Sequence, residues 1–313
     1  MIILGFDIGG TKCAVVTAEW DGENVTLLKK KRCETDLSVK PETMISRLIE
    51  MADEIIGERI DAIGISCGGP LDSEKGVILS PPNLPGWDEV EIVKLLSSHY
   101  GVPVKLQNDA NASAVAEWKF GAGKGTDNMI FLTFGTGLGA GLILSGRLYC
   151  GANGNAGEVG HIRLSENGPE GYGKKGSFEG FCSGGGIRRL GLMVAERKMS
   201  EGKVPSYMKD GTENVSAKSI ADAARNGDET AEEVYRICGE NLGKGLSVLI
   251  DILNPERIVI GSIFERANDL LWKHAEKVIE KEALSVSCNC CSVVPAKLGD
   301  EIGDYAAIGA ALS

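Results

Sequence analysis

Three observations predict a two-domain α/β protein. Short apolar runs alternate with amphipathic helical stretches along the chain, the order that yields strands backed by helices. Residues 2–22, IILGFDIGGTKCAVVTAEWDG, and residues 129–150, MIFLTFGTGLGAGLILSGRLYC, share one layout: an apolar strand, a Gly-rich turn, a second strand of small and apolar residues, and a polar turn. The length of 313 residues, at roughly 150 per domain, is enough for two separate cores.

Each half therefore opens on a β-hairpin. In the first half, residues 41–56 carry apolar side chains at helical spacing, and the runs at 62–66 and 104–107 have the length and composition of buried parallel strands. A helix is predicted from near Asp109 to about Phe120, and the loop GAGKGTDN after it marks the junction of the halves. These positions set a smaller N-terminal domain at 1–107, completed by the small-residue helix near 300–313, and a larger domain at 108–299. In the second half a long helical pattern over 216–253 is broken at Asn226 and Gly227, RIVI at 257–260 reads as a parallel strand, and CNCCSVVPAKL reads as another.

Composition narrows the function classes. With 43% hydrophobic and 25% charged residues the chain has the mix of a globular protein. No run approaches the roughly 18 apolar residues of a membrane span, and MIILGFDIGG lacks the basic start and cleavage site of an export signal, which predicts a cytoplasmic protein. A net charge of -11 disfavours nucleic acid as a partner, and the short basic run at 29–32 reads as a solvated strand end. Nine cysteines without an export signal point to a reducing compartment, with most of them in the core. Cys288, Cys290 and Cys291 lack the paired spacing of a zinc ribbon and are expected to be buried thiols on a strand.

Two Gly-rich hairpins, one per domain, imply a cleft in which their backbone N–H groups converge on the phosphates of a nucleotide. Either turn alone is equally explained by glycines that merely permit a tight hairpin. GTGLGA at 135–140 fits the dinucleotide fingerprint in letters, yet GLILSG after it is strand-like where that fingerprint demands a helix. No GxxxxGK[ST] string occurs, which excludes a P-loop. A nucleotide held by two hairpin turns remains, with Asp7 in the first placed to hold magnesium, an ion that needs only one or two carboxylates plus phosphate oxygens.

DIGGTK at 7–12, PNLPGW at 82–87, NDANASAVAE at 108–117, FGTGLGAGLI at 134–143 and GNAGEVGH at 154–161 occur in the order found in the ROK (repressor, ORF, kinase) family, which this chain resembles over essentially its whole length. The resemblance implies the two-domain actin-like ATPase fold of sugar kinases, heat-shock proteins and actin, with duplicated RNase H-like domains and an interdomain cleft. It also implies ATP- and Mg2+-dependent phosphorylation of a hexose or hexose derivative, the 6-hydroxyl of glucose foremost, by a glucokinase-like enzyme that forms a homodimer.

Phosphoryl transfer to a sugar requires a group that takes the hydroxyl proton, and a carboxylate suffices. Asp109 follows a strand and starts a helix, where its local alternative is to cap that helix. Similarity to the family's NDAN motif makes it the general base, gives Asn108 to a sugar hydroxyl, and leaves Asn111 to stabilise the turn. Glu158 and His161, three residues apart on a Gly-rich loop, form a polyol reader if the loop turns helically. Glu179 matches the family's third sugar-binding acid. Asn83 would line the opposite side of the pocket, although Pro, Asn and Gly are also what a turn is made of. The resemblance assigns Gly9, Gly10, Thr11 and Lys12 to the first phosphate turn, Gly135, Thr136 and Gly137 to the second, and Gly261 to a Gly-Gly pair near the nucleotide, whose second member is Ser262 here.

The family's structural zinc, held by the histidine of the GH pair and three cysteines, lacks its thiolates in this chain. Glu170, Tyr172 and Ser177 occupy those positions beside His161, so no structural zinc is expected and the loop is expected to be ordered by packing around Tyr172 and Phe178. Two other readings accompany the kinase. A repressor of the same family would carry a helix-turn-helix ahead of the first phosphate turn, where this sequence shows six residues before Asp7. A catalytically silent sugar-binding protein is expected to have lost the base or the turns, and both are present.

Overall fold

The apolar run IILGFDI forms β1 (Ile2–Ile8), antiparallel to β2 (Lys12–Trp20), with Ile8 opposite Cys13 so that only a tight turn joins them. β3 (Val25–Glu34) extends the antiparallel ribbon. α1 (Pro41–Asp53) starts on a proline whose missing N–H costs nothing there, and buries Met44, Ile45, Leu48 and Ala52 at helical spacing. β4 (Ala62–Cys67), buried throughout, runs parallel to β1. A small hairpin of β5 (Leu71–Asp72) and β6 (Val77–Ile78) follows, then α2 (Ile92–Tyr100), and then β7 (Val104–Asn108), which lies parallel to β4. The sheet order is β3-β2-β1-β4-β7. α3 (Asp109–Phe120) leaves β7 without a loop residue.

The second sheet has the order β10-β9-β8-β13-β14, from β8 (Met129–Phe134), β9 (Leu138–Leu144) and β10 (Arg147–Tyr149). A short hairpin, β11 (Glu170–Gly171) with β12 (Lys174–Lys175), precedes α4 (Phe178–Phe181), α5 (Gly184–Ser200), α6 (Ala217–Arg225) and α7 (Glu229–Leu253). The expected break at Asn226 and Gly227 separates α6 from α7, with Asp228 capping the latter through Thr230 and Ala231. β13 (Arg257–Ile260) lies parallel to β8, α8 (Ile263–Glu282) and α9 (Ser285–Cys288) follow, and β14 (Ser292–Pro295) pairs with β13. α10 (Ile302–Ala311) ends the chain.

This computed structural model describes residues 1–209 and 211–313. The chain divides into two compact units, Met1–Asp127 with Gly141–Ala156 and Lys297–Ser313, and Asn128–Ala140 with Gly157–Ala296. The sequence placed the first boundary at 107/108, whereas the first unit runs on through α3. Ala112 on that helix packs with Ala306 and Ala310 of α10, and small residues at these sites let the two helices approach closely. Within the first unit α1 and α2 cover a core of Phe6, Ile8, Val15, Ile63 and Ile65, while Ile3, Val16, Ala18 and Ile308 form a second cluster.

Two sequence expectations are corrected. Of the expected strand CNCCSVVPAKL, only Ser292–Pro295 is strand, as β14; ahead of it Cys288 and Asn289 donate their N–H groups to the carbonyls of Leu284 and Ser285 in helical fashion. Cys290 is consequently exposed and Cys288 and Cys291 half-buried, and of the nine cysteines only Cys13, Cys67, Cys182 and Cys238 are buried. The basic run 29–32 lies inside β3 and not at its end; Lys29 and Arg32 are exposed there, while Lys30 and Arg32 pair with Asp304, whose side chain is 3% exposed. No helix among the described residues is long and apolar enough to cross a membrane.

Candidate functional site

In the first unit the turn between β1 and β2 is held from both sides. Gly9 donates its N–H to the Lys12 carbonyl at 3.1 Å, the Thr35 hydroxyl donates to the Gly9 carbonyl at 2.6 Å, and Thr35 N–H donates to the Thr11 carbonyl at 3.0 Å. Gly10 has no room for a side chain, since a Cβ there would lie 2.2 Å from the Asn83 carbonyl oxygen. The first turn and the PNLPGW loop are thus in contact, and Thr11, Lys12 and Asn83 are exposed.

Asn83 and Asn108 flank one further turn, Gly68–Gly69 at the end of β4. A Cβ on Gly68 would stand 3.3 Å from Asn83 Nδ2, and one on Gly69 would stand 3.1 Å from Asn108 Nδ2. Sequence reasoning missed these two glycines, although GGP directly after an apolar run was the signal.

The cap of α3 is Asn108. The Ala110 N–H is shared between Asn108 Oδ1 at 3.0 Å and Asp109 Oδ1 at 2.9 Å, an arrangement worth about 1 kcal/mol to the helix. Asp109 is the first helical residue and is exposed. Asn111 is buried one turn on, donating to Gln107 Oε1 at 3.5 Å and toward Cys150 Sγ at 3.8 Å, so it ties the helix start to β7 and to the segment after β10.

Burial, reinforced by the nearby carboxylates of Asp304 and Asp109, pushes the Asp7 carboxyl up to about 6, against the opposing pull of Lys30 and Arg32. Asp304 was also missed by sequence reasoning. It stands 274 residues from Lys30, which donates to it, and the adjacent Gly303 lies so close to Asp7 that a Cβ would meet Oδ2 at 2.5 Å. An aspartate with other carboxylates close by makes a fitting place for a divalent cation, and magnesium needs no more than one or two of them.

In the second unit the Gly135–Gly137 turn is closed by the Gly135 N–H on the Gly137 carbonyl at 3.1 Å and abuts the start of α5, where Gly184 N–H donates to the Gly135 carbonyl at 2.8 Å. Glu179 on α4 accepts from the Leu138 N–H at 3.1 Å, and a Cβ on Gly137 would lie 2.9 Å from the same carboxylate oxygen. Glu158 and His161 bracket a 3-10 turn over Val159–His161, with His161 N–H donating to the Glu158 carbonyl at 3.2 Å. The backbone of Gly160 packs against the Glu179 side chain, at 3.2 Å from Cβ to Cβ were a side chain present. The second unit therefore brings Glu158, His161 and Glu179 into one neighbourhood beside the second Gly-rich turn.

Gly261 and Ser262 follow β13. Ser262 adopts φ 57° and ψ -105°, backbone that L residues rarely accept, and its N–H donates to Glu265 Oε1 at 2.5 Å. The serine thus keeps the conformation a glycine would take, and Glu265 holds it there. Of the residues at the thiolate positions, Ser177 is buried and caps α4 through the Gly180 N–H at 3.0 Å, and Phe178 is buried. Tyr172 is 74% exposed, so the loop packs around Phe178 and not around Tyr172 as expected. Among the described residues no group of three or more His, Cys, Asp and Glu side chains is placed to hold a metal ion.

Comparison with known proteins bears on the family and the fold. The glucokinase of Thermotoga maritima is 35% identical over 282 residues, which cover 89% of this chain and 87% of that one. A xylose repressor of Caldicellulosiruptor bescii is 26% identical over 95% of this chain and 75% of its own. Among solved structures, a ROK family glucokinase from Streptomyces griseus in complex with glucose and AMPPNP superimposes with a TM-score of 0.74 at 30% identity, over 99% of this chain and 98% of that one. The fold is the mixed α/β actin-like ATPase fold, with its two five-stranded sheets. The ROK family model matches residues 3–312, and the chain belongs to the ROK family.

Proposed function

We propose that this protein is an ATP-dependent sugar kinase that transfers the γ-phosphoryl group to a hydroxyl of a hexose, the 6-hydroxyl of glucose foremost. The observation that carries the reading is the start of α3, where Asn108 takes the capping position and leaves the Asp109 carboxylate exposed at the C-terminal edge of β7. In this reading Asp109 takes the proton from the sugar hydroxyl as its oxygen bonds to the γ-phosphorus and ADP leaves. Asn83, Asn108, Glu158, His161 and Glu179 hold sugar hydroxyls. Backbone N–H groups of 9–12 and 135–137 hold phosphates, with Gly261 beside the nucleotide. Asp7 would hold Mg2+, which neutralises charge on the phosphate oxygens.

Relatives named glucokinase and the neighbour bound to glucose and AMPPNP support this reading. Relatives named xylose repressor support a second one, a regulatory protein without turnover. ADP release measured over a panel of glucose, other hexoses and N-acetylhexosamines separates them. Turnover on glucose that disappears in Asp109→Asn is the expected result. Sugar binding by calorimetry without ADP release on any sugar would favour the silent protein.

A further inference from the structure

The β11–β12 hairpin carries a residue that its turn does not call for. Glu170 pairs with Lys175 and Gly171 with Lys174, leaving Tyr172 and Gly173 as a two-residue loop with φ 45° and 74°. Positive φ at both central positions is the type I′ combination, for which Asn-Gly is the favoured pair because Asn tolerates left-handed backbone. A tyrosine at the first position stores strain, and at 74% exposure it is not recovered by burial in a core.

What the ring does contact is His161. The two rings lie 5.2 Å apart at 75°, an edge-to-face pair. The same hairpin grips that histidine a second time, through Lys174 Nζ donating to the His161 carbonyl at 2.8 Å. Its base is fixed in turn. The buried Ser177 hydroxyl donates to the Gly171 carbonyl at 3.3 Å, and Gly171 approaches Gly180 so closely that a Cβ would lie 2.4 Å from its nitrogen. The hairpin is therefore anchored to the helical turn that carries Glu179 while it holds His161 by ring and by backbone.

We propose that Tyr172 is a positioning residue for sugar binding, setting the orientation of the His161 imidazole. The proposal rests on the reading of His161 as a sugar-contacting group. An edge-to-face partner restricts rotation of the imidazole about its side-chain bonds, so that its nitrogen meets a hydroxyl without first being ordered. The strained tyrosine is the residue that makes this contact, and an asparagine or glycine in its place would relax the turn and leave the ring without its partner.

The test compares Tyr172→Asn, Tyr172→Gly, Tyr172→Phe and His161→Ala in the full chain, reading kcat, KM for glucose, KM for ATP and melting temperature. Asn and Gly variants are expected to raise the glucose KM about 2- to 10-fold, the span of one aromatic pair, with kcat and the ATP KM unchanged and the melting temperature equal or higher. The Phe variant keeps the wild-type KM. Because the chain has three histidines, one of three imidazole signals in the proton NMR spectrum is expected to move in the Asn variant and stay in place in the Phe variant. A wild-type glucose KM in the Asn and Gly variants, beside a raised one in His161→Ala, overturns the positioning role. An unchanged glucose KM in His161→Ala overturns the reading of His161 itself, and the proposal with it.

Discussion

The Leu138 N–H donates to Oε2 of Glu179 at 3.1 Å, which joins the strand leaving the second Gly-rich turn to the acid proposed to read the sugar. Truncating that acid should therefore disturb both substrates. Glu179→Ala is expected to raise the sugar KM about 10- to 100-fold, the worth of one or two hydrogen bonds to a charged group, and to raise the ATP KM as well. Glu179→Gln keeps an acceptor for Leu138, so its ATP KM should stay near wild type. Steady-state kinetics with each substrate varied will show the split. An ATP KM unmoved in the Ala variant would mean that the link does not reach the turn.

Asp109→Asn is expected to lower kcat by about 10² to 10⁴, the usual contribution of a general base, with sugar affinity by calorimetry nearly preserved. Helix α3 keeps its start, because Asn108 still accepts from the Ala110 N–H. Near wild-type turnover would show that Asp109 serves the helix and not the chemistry.

The Asp7 carboxyl lies at about 6 where an ordinary aspartate lies at 3.8, owing to burial and to Asp304 and Asp109. The folded protein holds this proton more tightly than the unfolded chain, so the contribution to stability is full below 3.8 and is lost as pH rises through 6. The loss is at most about 3 kcal/mol and less with solvent screening. Asp7→Asn, melted without magnesium or nucleotide, should match wild type near pH 4 and exceed it at pH 8. A stability difference that does not change with pH would contradict the raised value.

Glu117 is fully buried on α3 and accepts the N–H groups of Ala122 at 2.6 Å, Lys297 at 2.9 Å and Leu298 at 2.8 Å. Glu117→Ala removes the acceptor shared by these three N–H groups and is expected to cost about 2 kcal/mol or more, read as a fall in melting temperature. Glu117→Gln, with one acceptor oxygen, should lose less.

Metal analysis of chelator-washed protein is expected to find zinc well below one equivalent, because a buried serine and an exposed tyrosine stand where thiolates would be needed. Stoichiometric zinc that disappears in His161→Ala would refute this.

Elements whose signal is local were legible in the letters. The span 109–120 was readable as α3 because Asp109 follows a strand pattern and Gly121 ends the helical run, the strands 62–66 and 257–260 because each is a short, mainly apolar run, and 104–107 because apolar and polar residues alternate there. The segment around Cys288 to Cys291 was not, since a short apolar window fits a helical turn and a strand equally well until its backbone partners are known.

By itself the sequence determined the two Gly-rich hairpins, the helix that begins at Asp109 and the ordered motifs of the family. Which distant residues share a neighbourhood depends on the folded chain. Lys30 and Arg32 meet Asp304, Gly10 meets Asn83, Glu117 meets Lys297, and Tyr172 turns toward His161 and away from a core. The physical reason is separation along the chain. Strand and turn preferences act over a few residues, whereas burial of a carboxylate or contact of two rings depends on where folding brings segments that lie up to 274 residues apart.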